Sequence, residues 1–276
     1  MITVPDSQTP SLNVICLGDV VGRTGRQAIK IALPELKRKF SADLVIVNSE
    51  NAAGGAGLDA GTAREIFEAG VDVITLGDHT WQKKDLYPIL ERDSHQMIRP
   101  ANYPQGAPGR GWLIVERKGI KIGVFNLIGR VFMTLLVDCP FTEAERIIAG
   151  PLADCAVRIG DLHAEATSEK IAMGRYLDGK ISLLFGTHTH VQTADEVILP
   201  GGTAYISDLG MTGSPEGVIG MDRDVALKRF LTGMPHSYKV ASGDGLICGV
   251  AARFDAVSGR ALEISRIRHP VAASQG

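Results

Sequence analysis

The chain has 276 residues, 45% hydrophobic and 22% charged, with a formal net charge of -2. That length and balance suit a soluble globular protein of one large domain or two small ones, with ample material for a core. The absence of a basic excess argues against a broad nucleic-acid surface, and no apolar run is long enough to span a bilayer.

Residues 1–11 are polar and Pro-containing and read as a loose lead-in with no basic n-region or apolar h-region, so no signal peptide is expected, and the scattered cysteines fit a reducing cytoplasm. LNVICLG (12–18) reads as a buried strand. RQAIKIALPELKRKF (26–40) reads as an amphipathic helix that Pro34 kinks or breaks. DLVIVNS (43–49) and VDVITLG (71–77) are further buried strands, and LDAGTAREIFEAG (58–70) between them is a helix with a Gly C-cap. Their Val/Ile/Leu runs predict a βαβαβ sheet covered by helices on both faces.

GWLIVERKGIKIGVFNLIG (111–129) predicts two strands turning at Lys118-Gly119. VFMTLLVDCPF (131–141) is apolar and could be a substrate wall, a lid or an oligomer contact, with core packing the plainer expectation. CAVRIGDLH (155–163) is a strand, ATSEKIAMGRYLDG (166–179) a helix and KISLLFG (180–186) a strand. DEVILPGGTAYISDLG (195–210) holds two more strands, and residues 244–268 form a closing hairpin turning near Val257-Ser258-Gly259. No linker divides the chain, so residues 12–270 are expected to form one domain with two sheets, and 271–276 a tail. Cys16, Cys139, Cys155 and Cys248 are scattered without a CxxC pair, which predicts free thiols.

Metal-capable side chains collect where strands end. Asp19 follows the first strand, Glu50 and Asn51 the second, Asp78 and His79 the third; Asp161 and His163 close the strand at 155, and His188 and His190 follow the next. Ligands of open α/β sheets gather beyond the carboxyl ends of strands. Singly, each has a plain reading: Asp19 as a helix cap, Glu50-Asn51 as turn chemistry, His79 or His163 as a satisfied histidine. Together they favour a site, because each plain reading would have to hold at the same kind of position. In GTHTH, strand alternation would aim both histidines at one spot. Mixed carboxylate, amide and imidazole donors suit Mn, Fe, Zn or a similar divalent ion, and they are too many for one tetrahedral zinc. His95, His236 and His269 lie in loop-like or terminal stretches and read as surface residues.

The order GD, strand-end acid, GDH, lone His and GxHxH resembles the calcineurin-like metallophosphoesterases. GDVVGRTGR, NSENAAGG, GDHTW, RPANYP, DLHAEATSEK and GTHTHVQTAD resemble the YmdB-like phosphodiesterase branch, over residues 13–268. The resemblance implies a four-layer α-β-β-α sandwich with a dinuclear site, Fe or Mn being expected ahead of Zn or Mg. It implies that Asp19, Glu50 and His190 hold one ion and Glu50, Asp78, His163 and His188 the other. The wider superfamily has D-x-H where this chain has Asp19-Val20-Val21, and Asn51 resembles the compensating ligand. Asp78 stands where that superfamily commonly has Asn.

The implied substrates are cyclic nucleotides, 2′,3′ or 3′,5′, opened by in-line attack of a bridging hydroxide. His79, adjacent to Asp78 but without an implied metal role, is the expected general acid. Arg23 and Thr24 precede a predicted helix N-terminus and are expected to meet a phosphate oxygen. Asn102 in RPANYP is a weaker candidate for the same neighbourhood. A phosphomonoesterase on the same metals, or a regulatory module binding protein or RNA through a structural metal site, are the competing expectations. Homo-oligomerisation is left open.

Overall fold

A computed structural model describes residues 10–92, 96–237 and 239–273. Residues 1–9, most of the expected lead-in, lie outside them, as do His95 and the last three residues of the expected tail. The first half runs β1 (Ser11–Leu17), β2 (Asp19–Val20), α1 (Gly22–Lys39), β3 (Leu44–Asn48), α2 (Ala60–Glu68), β4 (Val73–Thr75), α3 (Tyr87–Arg92) and β5 (Met97–Ile98). Next come β6 (Trp112–Arg117), β7 (Ile120–Ile128), α4 (Pro140–Ala149), β8 (Val157–His163), α5 (Thr167–Leu177) and β9 (Leu183–Thr187). The chain closes with β10 (Val197–Ile198), β11 (Ala204–Ile206), β12 (Met211–Gly213), α6 (Arg223–Thr232), β13 (Gly245–Asp255) and β14 (Ala261–Val271).

These strands form two sheets. One is ordered β2-β12-β13-β1-β3-β4-β5 with β14 also paired to β13, and the second is β10-β11-β9-β8-β7-β6. β1, β3, β4 and β5 are parallel, as are β7, β8, β9 and β11. The parallel strands are apolar on both faces, which is why their sequences read as unbroken runs. Ile15, Leu17, Val45 and Val47 pack under Ile29 and Leu33 of α1 and Ile66 of α2. Their neighbours Val14, Cys16, Leu44 and Ile46 face the second sheet and meet Val124, Ile159, Phe185 and Ile206. The far face of the second sheet, with Phe125, Leu127 and Leu184, packs on Ile147 of α4 and on Met173 and Leu177 of α5. The two strands expected over 111–129 turn through Lys118 and Gly119 with φ of 53° and 75°, the twist-matched hairpin geometry. All four cysteines are free thiols.

Several expectations are corrected. α1 begins at Gly22, four residues early, and runs through Pro34 as one helix. Lys30 and Pro34 both lie on its exposed side, so water can reach the carbonyl that Pro34 leaves without a donor. Gly22 and Gly25 disguise its first turn, yet a Cβ on Gly25 would collide with the Thr212 carbonyl, so that glycine lets α1 approach β12. The stretch at 131–139 is not core: Phe132 is 83% and Leu136 93% exposed. His269 lies within β14, not in a terminal loop. Helix α6, unanticipated, buries none of its residues.

Candidate metal centre

Both sheets deliver residues to one end of the molecule. β2 brings Asp19, the turn after β3 brings Glu50 and Asn51, and the turn after β4 brings Asp78 and His79. From the second sheet, β8 ends on His163, and the turn after β9 carries His188 and His190. Asp19, Glu50, Asn51 and His163 are buried, whereas Asp78, His79, His188 and His190 are part-exposed. Gly77 makes the convergence possible, because a Cβ there would collide with Glu50 and the His163 ring. Gly186 lets the histidine-bearing turn lie against the Ser207 carbonyl.

The expected strand alternation does not aim the two histidines. β9 ends at Thr187, and His188 and His190 have φ of 99° and 65°. Positive φ is uncommon outside glycine and needs a surrounding that imposes it. Thr189, between them, supplies that anchor: its N–H and hydroxyl donate to Asp208 Oδ2 at 3.2 and 2.8 Å. Asp208 also accepts from the Gly210 N–H at 2.8 Å and pairs with buried Lys170 Nζ at 2.7 Å.

Glu50, Asp78, His163 and His188 each offer a ligand atom, all within 4.8 Å of one another. His163 Nε2 is 2.9 Å from Asp78 Oδ1, 3.2 Å from Glu50 Oε1 and 3.0 Å from His188 Nδ1. Beside this cluster, Asp19 Oδ1 lies 3.9 Å from His190 Nε2 and, although fully buried, has no hydrogen-bond partner among the described residues. An orphaned carboxylate oxygen in a buried site is costly and calls for a cation. The Asn51 amide stands 3.1 Å from Glu50 Oε1 and 3.2 Å from His190 Nε2; turned over, it presents its oxygen at the same spot.

The far nitrogen of each of the three candidate histidines, His163, His188 and His190, has an acceptor. Thr187 gives its only hydroxyl proton to Asp161 at 2.7 Å, so it accepts from His163 Nδ1 at 3.0 Å. His188 Nε2 faces Glu165 at 3.1 Å, and His190 Nδ1 donates to the Ile219 carbonyl at 2.8 Å. Each imidazole thus turns its free lone pair inward, the tautomer a metal ligand needs. The donor set and its geometry fit divalent cations.

Electrostatics agree. Burial raises the Asp19 carboxyl, only partly opposed by His190 and His163. Burial also pushes Glu50 up, but the charge and hydrogen bonds of His163 with that of His79 bring it down to about 2. Asp78 is likewise carried well below the carboxylate range: burial opposes, and hydrogen bonds from His163 and His188 outweigh it. Burial opposes a proton on His163, but these acids draw one there, and without a cation it offsets their charge; a bound cation would displace it and take over that neutralisation.

His79 donates its backbone N–H to Glu50 Oε2 at 2.9 Å, and its Nδ1 lies 3.2 Å from Glu50 Oε1. That hydrogen bond raises its pKa above the ordinary imidazole value, against a smaller effect of burial. His79 borders a cavity of about 390 Å³ shared with Glu50, His188 and His190. Arg23 and Thr24 are not brought into it. They sit in the first turn of α1 and line a neighbouring groove that shares only Gly54 with the metal cavity. The Thr24 hydroxyl is taken by the Ala241 carbonyl at 3.2 Å. Asn102 is structural, donating to the Ile128 and Asp138 carbonyls and accepting from the Ile128 N–H.

Sequence reasoning missed Glu165, Thr187, Lys170, Asp208 and Ile219. Glu165, two residues beyond His163, carried a local signal; the other partners meet only through the fold. Asp161 is not a ligand but sits behind the site. It accepts from Thr75, Asn48 and Thr187, and burial holds its carboxyl at about 6 against His163 and those bonds.

Residues 15–267 match the family of YmdB-like proteins. The chain is 44% identical over 256 residues to a 2′,3′-cyclic-nucleotide 2′-phosphodiesterase of Bacillus subtilis (strain 168), covering 93% of this chain and 96% of that one. Among solved structures it resembles a novel phosphatase of Mycoplasma pneumoniae (TM-score 0.90, 36% identity, 97% and 96% covered). It also resembles a protein of Thermus thermophilus (TM-score 0.88, 39% identity, 94% and 100% covered).

Proposed function

Because this chain belongs to the YmdB-like family, we propose that it is a two-metal phosphodiesterase that opens cyclic nucleotides, 2′,3′-cyclic before 3′,5′-cyclic. The carrying observation is the cluster of Glu50, Asp78, His163 and His188 beside the orphaned Asp19 oxygen. The name of the B. subtilis relative and its near-complete overlap with this chain support the substrate class. The two packed sheets with flanking helices support the four-layer sandwich. Asp19, Glu50, Asn51 and His190 would hold one ion, and Glu50, Asp78, His163 and His188 the other, with Glu50 shared. Fe or Mn suits this carboxylate and imidazole set.

Two ions so placed would acidify bound water and neutralise phosphoryl charge. The chain's own contribution is position and protons. Thr187, Glu165 and the Ile219 carbonyl hold three imidazoles in one tautomer each. His79 is tied through Nδ1 to Glu50, so its Nε2 is the atom that would deliver a proton to the departing ribose oxygen. Arg23 and Thr24 would meet only a part of the substrate that reaches past Gly54 into the adjoining groove.

The test is hydrolysis of 2′,3′-cyclic AMP and an aryl phosphodiester with Mn²⁺ or Fe²⁺ by wild type and His79→Ala. Activity that requires metal and falls about 10²–10⁴-fold in the variant, at unchanged metal content, is the expected result. A metal-loaded wild type that cleaves only monoesters would make the protein a phosphomonoesterase. One inert on both would leave a binding module.

A further inference from the structure

The metal cavity has two unlike walls. One carries Glu50, His79, His188 and His190; the other is Gly54, Gly55, Ile219 and Met221. We infer that this second wall seats the nucleobase of the substrate and accepts any base. The inference rests on the phosphodiesterase reading and specifies its substrate contacts.

Gly55 has φ of 93°, and a Cβ there would press on Val240 and come within 3.1 Å of Met221 Cε, so the thioether lies directly on bare backbone. Gly54 has φ of 73° and open space where a side chain would stand. An aromatic ring seated there meets bare backbone and a polarisable sulfur, a favourable contact. Ile219 is half-exposed and has φ of 47°, a conformation that a β-branched residue adopts only when held. What holds it includes the bond from His190 Nδ1 to its carbonyl at 2.8 Å. The base wall is therefore tied to a residue of the metal wall, and the distance between base and phosphate is set by one short segment.

Several of the wall's backbone polar atoms are already engaged. Met221 N–H and carbonyl exchange bonds with Val218 at 2.9 and 2.8 Å, and the Gly55 N–H donates to the Asn51 carbonyl at 3.1 Å. Of the polar side chains lining the cavity, the Thr189 hydroxyl is held by Asp208 and one Glu165 oxygen by His188. Discrimination among bases needs donors and acceptors aimed at their edges. Apolar area without them binds rings by size and shape alone. The cavity, about 390 Å³, suits one nucleotide.

The experiment compares kcat and KM for the four 2′,3′-cyclic nucleotides and for ethylene phosphate, a cyclic diester without a base. Wild type, Met221→Ala, Met221→Asp and Met221→Leu are used, with calorimetric Kd for 3′-AMP as a binding readout. Removing the apolar side chain in Met221→Ala, or replacing it with a charge in Met221→Asp, should raise KM for the nucleotides and Kd for 3′-AMP about tenfold, with kcat little changed. Met221→Leu should restore both, and ethylene phosphate kinetics should not move. Wild-type kcat/KM should vary among the four bases by no more than about tenfold. Unchanged KM and Kd in both Met221→Ala and Met221→Asp, or a preference for one base above about a hundredfold, would overturn the base seat. Hydrolysis of neither cyclic nucleotides nor ethylene phosphate by the loaded wild type would overturn the phosphodiesterase reading, and the base seat with it.

Discussion

Asp78 illustrates how much one atom decides at this centre. Its Oδ1 lies 2.9 Å from His163 Nε2 and 3.4 Å from His188 Nδ1, so the carboxylate stands among the proposed ligands of one ion. Two divalent ions bring four positive charges, and Asp19, Glu50 and Asp78 bring three negative ones. A bridging hydroxide would bring the total to neutral, which favours a monoanionic diester over a dianionic monoester. Asp78→Asn removes one negative charge from a site where charges interact strongly. The ratio of diester to monoester turnover should then fall about tenfold, which is about 1.4 kcal/mol of differential stabilisation. An unchanged ratio with both ions bound would show that charge at this position does not set the preference. The sequence displayed Asp78 plainly in GDHTW, but its consequence depends on His163 and His188, which arrive from the other sheet.

At the scale of elements, the turn after β9 is the part most dependent on remote support. Two histidines with positive φ flank Thr189, and Thr189 is held by Asp208, which is neutralised by Lys170 on α5. Lys170 and Asp208 are 2% and 1% exposed, so removing one partner strands the other as a buried charge. Lys170→Met should cost about 3–5 kcal/mol in chemical denaturation, the usual penalty for breaking a buried pair on one side. It should also weaken metal uptake, because the imidazoles of His188 and His190 lose their fixed aim. A variant as stable as wild type would mean that the fold does not depend on the Lys170–Asp208 pair. The same element corrects the sequence reading. GTHTH was legible as a ligand pair, but the alternation invoked for it belongs to a strand, and the chain has left the strand by His188. Likewise GRTG hid the first turn of α1, since glycine propensity argues against helix while close approach to β12 requires it.

The whole molecule is a pair of sheets whose chemistry lies at their common edge. Asp19, Glu50 and Asp78 come from one sheet and His163 and His188 from the other. Ions held there would tie the sheets together in the folded state alone. Saturating Mn²⁺ at about a hundredfold above Kd should stabilise by about 2.7 kcal/mol, on the order of 5–10 °C in Tm for a chain of this size. Chelation should remove that increment, and Asp19→Ala should reduce it; a Tm indifferent to metal would mean that no ion bridges the sheets. The sequence by itself determined the longer strands, their chain order and the acids and histidines that follow them, but not the short strands β2, β5 and β12. Those are local facts: apolar runs need burial on two faces, and a strand end is marked by the first polar residues. Only the tertiary structure decided that Thr187, Glu165 and Ile219 orient the imidazoles, that Lys170 meets Asp208, and that Arg23 and Thr24 face a different groove. Contacts between residues tens of positions apart arise from how two sheets stack, and no periodicity along the chain records that stacking.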